Sequence, residues 1–370
     1  MVAALTLPRL LFGPGSLSEL TRELALLGVM KPLLISDRGL ERAGIVAKVL
    51  GALPGGTTQF LDVPENPTAA GADAARACYQ KAGADGVVAL GGGSVLDTAK
   101  IVAALVGCTV AGAMELLGKP ELIGPKVVPL VAIPTTLGTG SESSPVAALH
   151  FDASGTSIGT RSFRLVPKLA VCDPDLTRTL PRRLIAATGI DALSHCIEGF
   201  FAEPSNPFID ALALDGIVRI FVGIRAALEP EGDAARASLM AAAYAGGIAI
   251  HKGLGAAHAI ALACSDQDLH HGTLIGVALP RAVALVAPHL PVKASRVAAA
   301  LGLRDGSNLA AALGELTATV GLPGTLREAG YRAGSVDQMV ELLVKSPFNR
   351  TSPYVPTPGE YRQLAAGLLS

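Results

Sequence analysis

The sequence predicts an α/β domain built on a parallel sheet, followed by an all-helical domain, with the active site in the cleft between them. Two patterns along the 370 residues carry this prediction. In the first half, short apolar runs rich in β-formers alternate with stretches whose apolar residues recur at helical spacing. Beyond residues 168–181 the strand-like runs disappear, and alanine and leucine recur at helical spacing nearly to the end. We assign residues 1–178 to the first domain and residues 179–370 to the second. Because no low-complexity linker separates them, we expect close packing.

The elements of the first domain follow in order along the chain. Three apolar runs end in polar residues or glycine and read as buried strands: "PLLISD" (32–37), "GVVALGGG" (86–93) and "VVPLVAIPTT" (127–136). Two stretches have helical spacing: "SLSELTRELALLG" (16–28) and "NPTAAGADAARACYQKAG" (66–83). Strands separated by helices at this spacing predict a parallel sheet covered by helices.

Composition excludes several classes of partner. The net charge of −1 and the pI near 6.7 provide no basic surface for nucleic acid or for an anionic membrane, so we expect neither partner. The five cysteines are scattered and form no CxxC pair, which argues against a disulfide framework and against a thiolate metal site. This cysteine usage favours a reducing compartment.

The apolar stretches do not read as targeting or membrane segments. The start, "MVAALTLPRLLFGPG", has no cationic region, and proline and glycine interrupt it early. The run "LMAAAYAGGIAI" (239–250) is shorter than the roughly 20 residues that a membrane span needs. We therefore expect a cytoplasmic protein.

A glycine-rich loop after the second predicted strand is a candidate phosphate site. In "GVVALGGGSVLDTAK" (86–100), a buried strand runs into three glycines and a serine, and then into a helix. Glycine permits close backbone approach, and a helix start offers free N–H groups and the positive end of the dipole. These features suit a pyrophosphate, with Gly92, Gly93, Ser94 and Asp97 as candidate binding residues. An ordinary tight turn between strand and helix is the alternative.

A second polar loop, "PTTLGTGSESSP" (134–145), follows the third predicted strand. Its hydroxyl groups suit hydrogen bonds to a ribose, a phosphate or a nicotinamide amide, and the candidates are Thr135, Thr136, Thr139 and Ser141. A polar surface loop is the alternative. Two such loops at strand ends of one parallel sheet favour a dinucleotide.

Asp37 ends the first predicted strand. A carboxylate there suits a hydrogen bond to the adenosine ribose 2′-OH and repels a 2′-phosphate, which favours NAD over NADP. A simple helix cap is the alternative interpretation.

Carboxylate and imidazole groups gather in the second domain. "TGIDALSHCIEGFF" (188–201) places Asp191 and His195 four residues apart, on one helix face. "HKGLGAAHAIALACSDQDLHHG" (251–272) holds four of the seven histidines, including His258 and His271. Three imidazole nitrogens and one carboxylate oxygen suit Zn²⁺ or Fe²⁺. A surface pair on one helix and packed core histidines on the other are the alternatives.

The motifs together resemble one family. "GGGSVLDTAK", "PTTLGTGSE", "DALSHCIEGF" and "KGLGAAHAIA…HHG" occur in the order and spacing of the iron-containing (group III) alcohol dehydrogenases of the dehydroquinate synthase-like superfamily. The resemblance spans about residues 8–290, and the rest of the chain carries little signature. It implies an α/β dinucleotide-binding domain, an all-helical metal-binding and catalytic domain, and a metal between them.

The resemblance also implies roles for individual residues. The matching positions are Asp191, His195, His258 and His271 for the metal, Gly92, Gly93 and Ser94 for the pyrophosphate, Thr135, Thr136 and Thr139 for the second cofactor loop, and Asp37 and Asn66 for the adenosine side.

Three departures from the family pattern concern the proton relay and the substrate. Leu262 stands where the family usually has a second histidine, and His270 replaces a common proline in a stretch one residue shorter than usual. A lysine often found near the cofactor is not evident around Ser157 and Ile158. We take His251 and His270 as candidate catalytic residues, with packed, hydrogen-bonded histidines as the alternative.

The function implied by the resemblance is hydride transfer between a small alcohol or hydroxy acid and NAD(H), with the aldehyde as substrate in the reverse direction. The cofactors are then NAD(H) and a divalent metal, Fe²⁺ or Zn²⁺, and we expect a homodimer that associates through edges of the sheet. Three alternatives stay open. The first is a metal-free enzyme like the maleylacetate reductases, which carry a histidine–lysine pair similar to His251–Lys252. The second is a sugar-phosphate cyclase, and the third is an inactive nucleotide-binding regulatory protein.

Overall fold

The structure is a computed structural model that describes residues 4–151, 157–267, 269–332 and 334–369. The chain separates into two compact units. One is Thr6–Leu180, and the other combines residues 4–5 with the part from Pro181 onward. The first unit is α/β and the second is built from helices, as the sequence predicts.

The first unit holds eight strands among its described residues: β1 (Arg9–Phe12), β2 (Pro32–Ile35), β3 (Thr58–Phe60), β4 (Gly86–Gly91), β5 (Leu130–Pro134), β6 (Val146–His150), β7 (Ser157–Arg161) and β8 (Leu169–Cys172). Its helices are α1 (Leu20–Leu26), α2 (Arg38–Arg42), α3 (Ile45–Leu50), α4 (Ala69–Ala82), α5 (Gly93–Val106) and α6 (Ala113–Leu116).

Six strands form one parallel sheet in the order β1-β8-β5-β4-β2-β3, and β6 and β7 form an antiparallel pair. Strands β2, β4 and β5 are neighbours, with Ile35 opposite Ala89 and Gly91 opposite Pro134. Because the strands are parallel, their carboxyl ends lie side by side at one edge of the sheet. The three predicted loops therefore emerge from adjacent strands.

The sheet is covered on both faces, as its nearly continuous apolar strands require. In β4, Val87 and Ala89 belong to one hydrophobic cluster, whereas Val88 and Leu90 belong to another. This alternation follows from the two-residue period of a strand. Both faces exclude water, and the polar loops are left at the strand ends.

The second unit consists of α7 (Arg182–Phe201), α8 (Pro207–Ala227), α9 (Asp233–Ala249), α10 (Ala256–Ala263), α11 (His271–Val286), α12 (Pro291–Ala300), α13 (Leu309–Thr319), α14 (Val336–Val344) and α15 (Pro358–Leu369).

Helix α7 is the central helix of this unit and contacts α8, α9 and α11. Glycine allows this close packing: a Cβ at Gly199 would lie 2.6 Å from the Cβ of Ala249, and one at Gly216 would lie 2.6 Å from Sγ of Cys196. Any larger side chain at these positions would push the helices apart. The buried centre of α7 is also where Asp191 and His195 lie.

Two stretches, Arg182–Phe201 and His271–His289, are long and apolar enough to cross a membrane by length and composition alone. However, 94% and 61% of these apolar stretches are buried inside the protein. Core helices of a folded domain show the same combination.

Candidate metal and dinucleotide sites

Helix α7 presents three acidic or imidazole side chains on one face. Asp191, His195 and Glu198 lie at positions i, i+4 and i+7, which point in the same direction from an α-helix. All three are buried, as the apolar surroundings of α7 dictate. His258 joins them from α10, and His271 from the first residue of α11.

The imidazoles of three predicted metal ligands converge on a carboxylate oxygen of the fourth, Asp191. Oδ1 of Asp191 lies 3.7 Å from Nε2 of His195, 3.8 Å from Nε2 of His258 and 3.6 Å from Nε2 of His271. These separations exceed hydrogen-bond length. Two ligand atoms about 2.0–2.2 Å from one tetrahedral ion lie roughly 3.3–3.5 Å apart, so the observed spacing fits a shared cation.

Unsatisfied buried atoms support the same conclusion. Within the part of the chain that the structure describes, neither Oδ1 of Asp191 nor Nε2 of His258 has a hydrogen-bond partner, although both are buried. Buried polar atoms are rarely left unpaired, because each costs about 1–3 kcal/mol. A divalent ion would satisfy both atoms, so the residues present fit a metal.

The electrostatics of the cluster follow from burial. Burial raises the pKa of Asp191 to about 7, His258 opposes this shift, and Glu198 adds to it. The pKa of His271 is lowered by desolvation first, and then by His258 and His270. Because the His271 side chain is 53% exposed, water reduces the effect of desolvation, and the two neighbouring imidazoles are the stronger local influence on its pKa. A bound cation would compensate the cost of an ionised Asp191 and would stabilise neutral imidazoles.

Glu198 is a site residue that the sequence analysis missed. Its Oε2 lies 2.6 Å from Nδ1 of His258, and its Oε1 accepts a hydrogen bond from the backbone N–H of Ala257 at 2.6 Å. The available signal was its position, seven residues after Asp191 on the same helix face. The carboxylate thus links α7 to the first turn of α10.

Phe348 is a second residue that was missed. It lies in the short 3-10 helix Pro347–Arg350, and its ring packs edge-on against His258 with centroids 5.8 Å apart. Thr351 fixes this segment by donating a hydrogen bond to the carbonyl of Leu254 at 3.0 Å. Sequence spacing offered no signal, because Phe348 is ninety residues from His258 in a region without motifs.

The two predicted catalytic histidines lie close to the ligand segments in sequence. His251 is buried in the turn after α9, and His270 is the N-cap residue of α11, directly before His271. Their catalytic role stays a prediction. The neighbouring Lys252 is buried, forms an ion pair with Asp210 and donates to the carbonyl of Phe200 at 3.3 Å. These contacts give its ammonium a structural role.

In the first unit, the glycine loop and the threonine loop pack against each other. A Cβ at Gly92 would lie 2.9 Å from Cγ2 of Thr136, and one at Gly93 would lie 3.0 Å from Cγ2 of Thr139. Helix α5 begins at Gly93, so its free N–H groups lie beside these threonines. The buried Oγ1 of Thr136 has no hydrogen-bond partner among the described residues. The packing of the two loops therefore requires the glycines, and the binding of a pyrophosphate by this loop stays a prediction.

Other predicted cofactor residues hydrogen-bond within the protein. Asp97 accepts from Oγ of Ser141 at 2.5 Å and from the N–H of Ala148 at 2.8 Å, so both of its oxygens are engaged. Oγ of Ser94, in the first turn of α5, donates a hydrogen bond to the carbonyl of Glu65 at 2.5 Å. Glu65 directly precedes Asn66 in the sequence. Contacts of Asp97, Ser141 and Ser94 with a cofactor stay predictions.

Asp37 lies where it could serve either as a helix cap or as a ribose contact. It follows β2 at the carboxyl edge of the sheet, and its Oδ1 accepts from the N–H of Leu40 at 2.9 Å, capping α2. The capping interpretation is therefore confirmed. A contact of the same side chain with a ribose stays a prediction.

Lys100 links helix α5 to the end of the threonine loop by hydrogen bonds. It is fully buried, and its Nζ donates to the carbonyls of Ser144 at 2.9 Å and Val146 at 2.7 Å. Burial lowers the pKa of Lys100 to about 8, against the opposing effect of Asp97 and Glu142. Burial likewise raises the pKa of Glu142 to about 7.

An α/β unit with adjoining glycine and threonine loops, followed by helices that gather a buried carboxylate and imidazoles, defines a metal-dependent, nucleotide-linked dehydrogenase. Residues 8–174 match the family described as iron-containing alcohol dehydrogenase, and residues 185–364 match its C-terminal family. The chain is 37% identical over 366 residues to a 4-hydroxybutyrate dehydrogenase of Cupriavidus necator, covering 95% of each protein.

Solved structures agree with this match. A crystal structure of 1,3-propanediol oxidoreductase has a TM-score of 0.92 at 27% identity and covers 100% of both chains. A sulfoacetaldehyde reductase of Bifidobacterium kashiwanohense in complex with NAD⁺ has a TM-score of 0.90 at 25% identity and covers 100% of this chain and 99% of that one. The chain belongs to the iron-containing alcohol dehydrogenase family, whose members use NAD(H) and a divalent metal to act on CH–OH groups.

Proposed function

We propose that this enzyme interconverts a small ω-hydroxy compound and its aldehyde with NAD(H), and that 4-hydroxybutyrate is its leading substrate. The observation that carries the proposal is the cluster of three imidazole nitrogens 3.6–3.8 Å from Oδ1 of Asp191. The substrate assignment rests on the 37% identity to a 4-hydroxybutyrate dehydrogenase.

In this proposal Asp191, His195, His258 and His271 hold the divalent ion, Fe²⁺ or Zn²⁺. When bound, the ion supplies Lewis acidity that lowers the pKa of the substrate hydroxyl. When bound by the loops of the first unit, NAD⁺ would accept a hydride from the carbinol carbon, and the hydroxyl proton would pass to water, which would leave an aldehyde. We assign His251 and His270 to the proton path, since Leu262 has no titratable group.

The dinucleotide belongs to the unit Thr6–Leu180 in this proposal, with residues 1–178 as the cofactor-binding domain and residues 179–370 as the metal-binding one. Three observations support the assignment. The loops after β2, β4 and β5 share one sheet edge, helix α5 starts at Gly93, and Oγ1 of Thr136 is buried without a hydrogen-bond partner in the described chain. Pyrophosphate oxygens are acceptors that match such donors.

We further propose a cytoplasmic homodimer. The scattered free cysteines suit a reducing compartment. Strand β1 is an edge strand of the sheet, and its Leu10 and Phe12 are 39% and 44% exposed. Apolar side chains on an unpaired edge favour association with a second copy.

The test is metal-dependent turnover. The purified protein is stripped with a chelator, reloaded separately with Fe²⁺ and Zn²⁺, and assayed with NADH against a panel of small aldehydes that includes 4-oxobutanoate. We expect turnover only after reloading, with the highest kcat/KM for 4-oxobutanoate. Full turnover of the stripped protein would contradict the metal site and favour a metal-free reductase. NADH binding without turnover of any aldehyde would favour a regulatory protein.

A further inference from the structure

We infer that Glu198 is a positioning residue that holds His258 in the tautomer able to bind the metal. The inference deepens the proposed function and rests on the metal site described there. The carboxylate of Glu198 contacts a candidate ligand, His258, with one oxygen and the backbone of Ala257 in α10 with the other.

Both oxygens of Glu198 are engaged in short hydrogen bonds. Oε2 lies 2.6 Å from Nδ1 of His258, and Oε1 lies 2.6 Å from the backbone nitrogen of Ala257. The Glu198 side chain is 7% exposed, so water competes weakly for either bond. One side chain of α7 therefore fixes two successive residues of α10.

The chemistry of the two groups determines the position of the proton. In the inferred arrangement both oxygens of Glu198 accept hydrogen bonds, as a carboxylate's do, so that Nδ1 of His258 carries the hydrogen and Nε2 carries the lone pair. That Nε2 lies 3.8 Å from Oδ1 of Asp191 and has no hydrogen-bond partner within the described chain. A metal ligand needs this lone pair, and a carboxylate behind the imidazole also raises its basicity.

A glycine at the start of α10 allows the close approach of this helix to Glu198. Gly255 precedes α10, and a Cβ there would lie 3.1 Å from Oε1 of Glu198. The glycine thus allows the start of α10 to approach the carboxylate closely enough for the bond to Ala257.

Glu198→Gln tests the inference because the two side chains have the same shape. A glutamine has one acceptor oxygen and one NH₂ donor, whereas His258 and Ala257 both present N–H groups. If the NH₂ faces His258, the ring proton moves to Nε2 and the ligand lone pair is lost. If the NH₂ faces Ala257, two donors oppose each other and α10 shifts.

We expect Glu198→Gln to weaken Zn²⁺ binding about 10–100-fold in a chelator competition, as is typical when the partner behind a ligand is removed. NADH binding should not change. Asp210→Asn is the matched control, because it removes the partner of buried Lys252 in the same unit and leaves both hydrogen bonds of Glu198 in place. The control should lower thermal stability and leave Zn²⁺ affinity unchanged.

A measurement on the unaltered protein does not depend on how the variant folds. With ¹⁵N-labelled histidine, NMR of the metal-free protein at pH 8 should show His258 as the Nδ1–H tautomer. An Nε2–H tautomer, or equal Zn²⁺ affinity of wild type and Glu198→Gln, would overturn the inference while leaving the metal site intact. A wild-type protein that binds no divalent metal would overturn both this inference and the proposed function.

Discussion

At the scale of single residues, Asp37 caps a helix, and we expect the same side chain to contact the cofactor. Its Oδ1 caps α2, a role that stabilises a helix by about 1 kcal/mol. The same carboxylate lies at the end of β2, beside the strand that leads into the glycine loop. We expect the negative charge of Asp37, and not its capping hydrogen bond, to select NAD(H) over NADP(H).

Asp37→Asn separates these two roles. Asparagine keeps the capping oxygen and removes the charge, so α2 should remain while repulsion of a 2′-phosphate disappears. We expect the ratio of kcat/KM for NADH to that for NADPH to fall by about tenfold, in line with roughly 1.4 kcal/mol of lost discrimination. Asp37→Gly should relax selectivity similarly and destabilise α2 slightly. A wild-type enzyme that already prefers NADPH would contradict the assignment.

Lys100 gives the first unit a distinctive dependence on pH. Its pKa is lowered from 10.5 to about 8 by burial, with Asp97 and Glu142 opposing. Between these two values the unfolded chain binds more protons than the folded one, so stability rises as pH increases. The contribution of Lys100 is therefore fully present above pH 10.5 and is lost as pH falls through 8.

Comparison with Lys100→Met isolates this contribution. From pH 8 to pH 10.5, the free energy of unfolding of the wild type should rise relative to the variant, by an amount on the order of 3 kcal/mol at most. Urea unfolding at several pH values measures the difference between the two proteins. A difference that is independent of pH would show that Lys100 titrates normally in the fold.

At the scale of elements, the glycine loop before α5 and the threonine loop after β5 act as one surface. Their contact depends on the absence of side chains at Gly92 and Gly93, which face the methyl groups of Thr136 and Thr139. Lys100 reinforces the contact, because it joins α5 to the carbonyls of Ser144 and Val146. The two loops are thus positioned by steric fit and by buried hydrogen bonds.

Gly92→Ala should separate the two loops. The added Cβ would lie 2.9 Å from Cγ2 of Thr136, and overpacking of this kind costs about 1–3 kcal/mol. We expect NADH to bind about tenfold more weakly in fluorescence titration, with unchanged metal content. Gly71→Ala in α4 is the control: its Cβ would make an ordinary contact of 3.5 Å with Oγ1 of the N-cap residue Thr68, and NADH affinity should stay at the wild-type value.

The elements that the sequence predicts well are those with a strong local pattern. Strands β2, β4 and β5 are fully buried apolar runs, and all three are confirmed within the predicted ranges. Strands β1, β3, β6, β7 and β8 were not predicted. The first four are at most partly buried, so they lack a continuous buried apolar run, and β8 lies beside the predicted domain boundary at residue 178, where helices were expected to begin. Residues 16–19 form a 3-10 turn before α1, where the sequence analysis expected a continuous helix.

The site was partly predictable for the same reason. The convergence of Asp191 with three imidazoles follows from motifs, and Glu198 follows from its i+7 position once α7 is established. Phe348 meets His258 only through the tertiary packing of a distant segment, which no local spacing reveals.

At the scale of the whole molecule, assembly depends on the exposed edge of the sheet. Sedimentation at micromolar concentration should show a dimer, and Phe12→Glu should favour the monomer because it places a charge on strand β1. Phe208→Glu, an equally non-conservative change at a more exposed position of α8, is the control and should remain dimeric. A wild-type species of 37.5 kDa at this concentration would contradict the homodimer.

The central claim is that Asp191, His195, His258 and His271 hold a divalent metal that the reaction requires. Metal analysis of His271→Ala, combined with NADH binding and turnover, tests it most directly. The change removes one of the four candidate ligands. Because the side chain of His271 is 53% exposed, folding should be little affected. We predict that the variant binds NADH normally, loses most of its metal and loses nearly all turnover. A metal-replete, fully active His271→Ala enzyme would contradict the site.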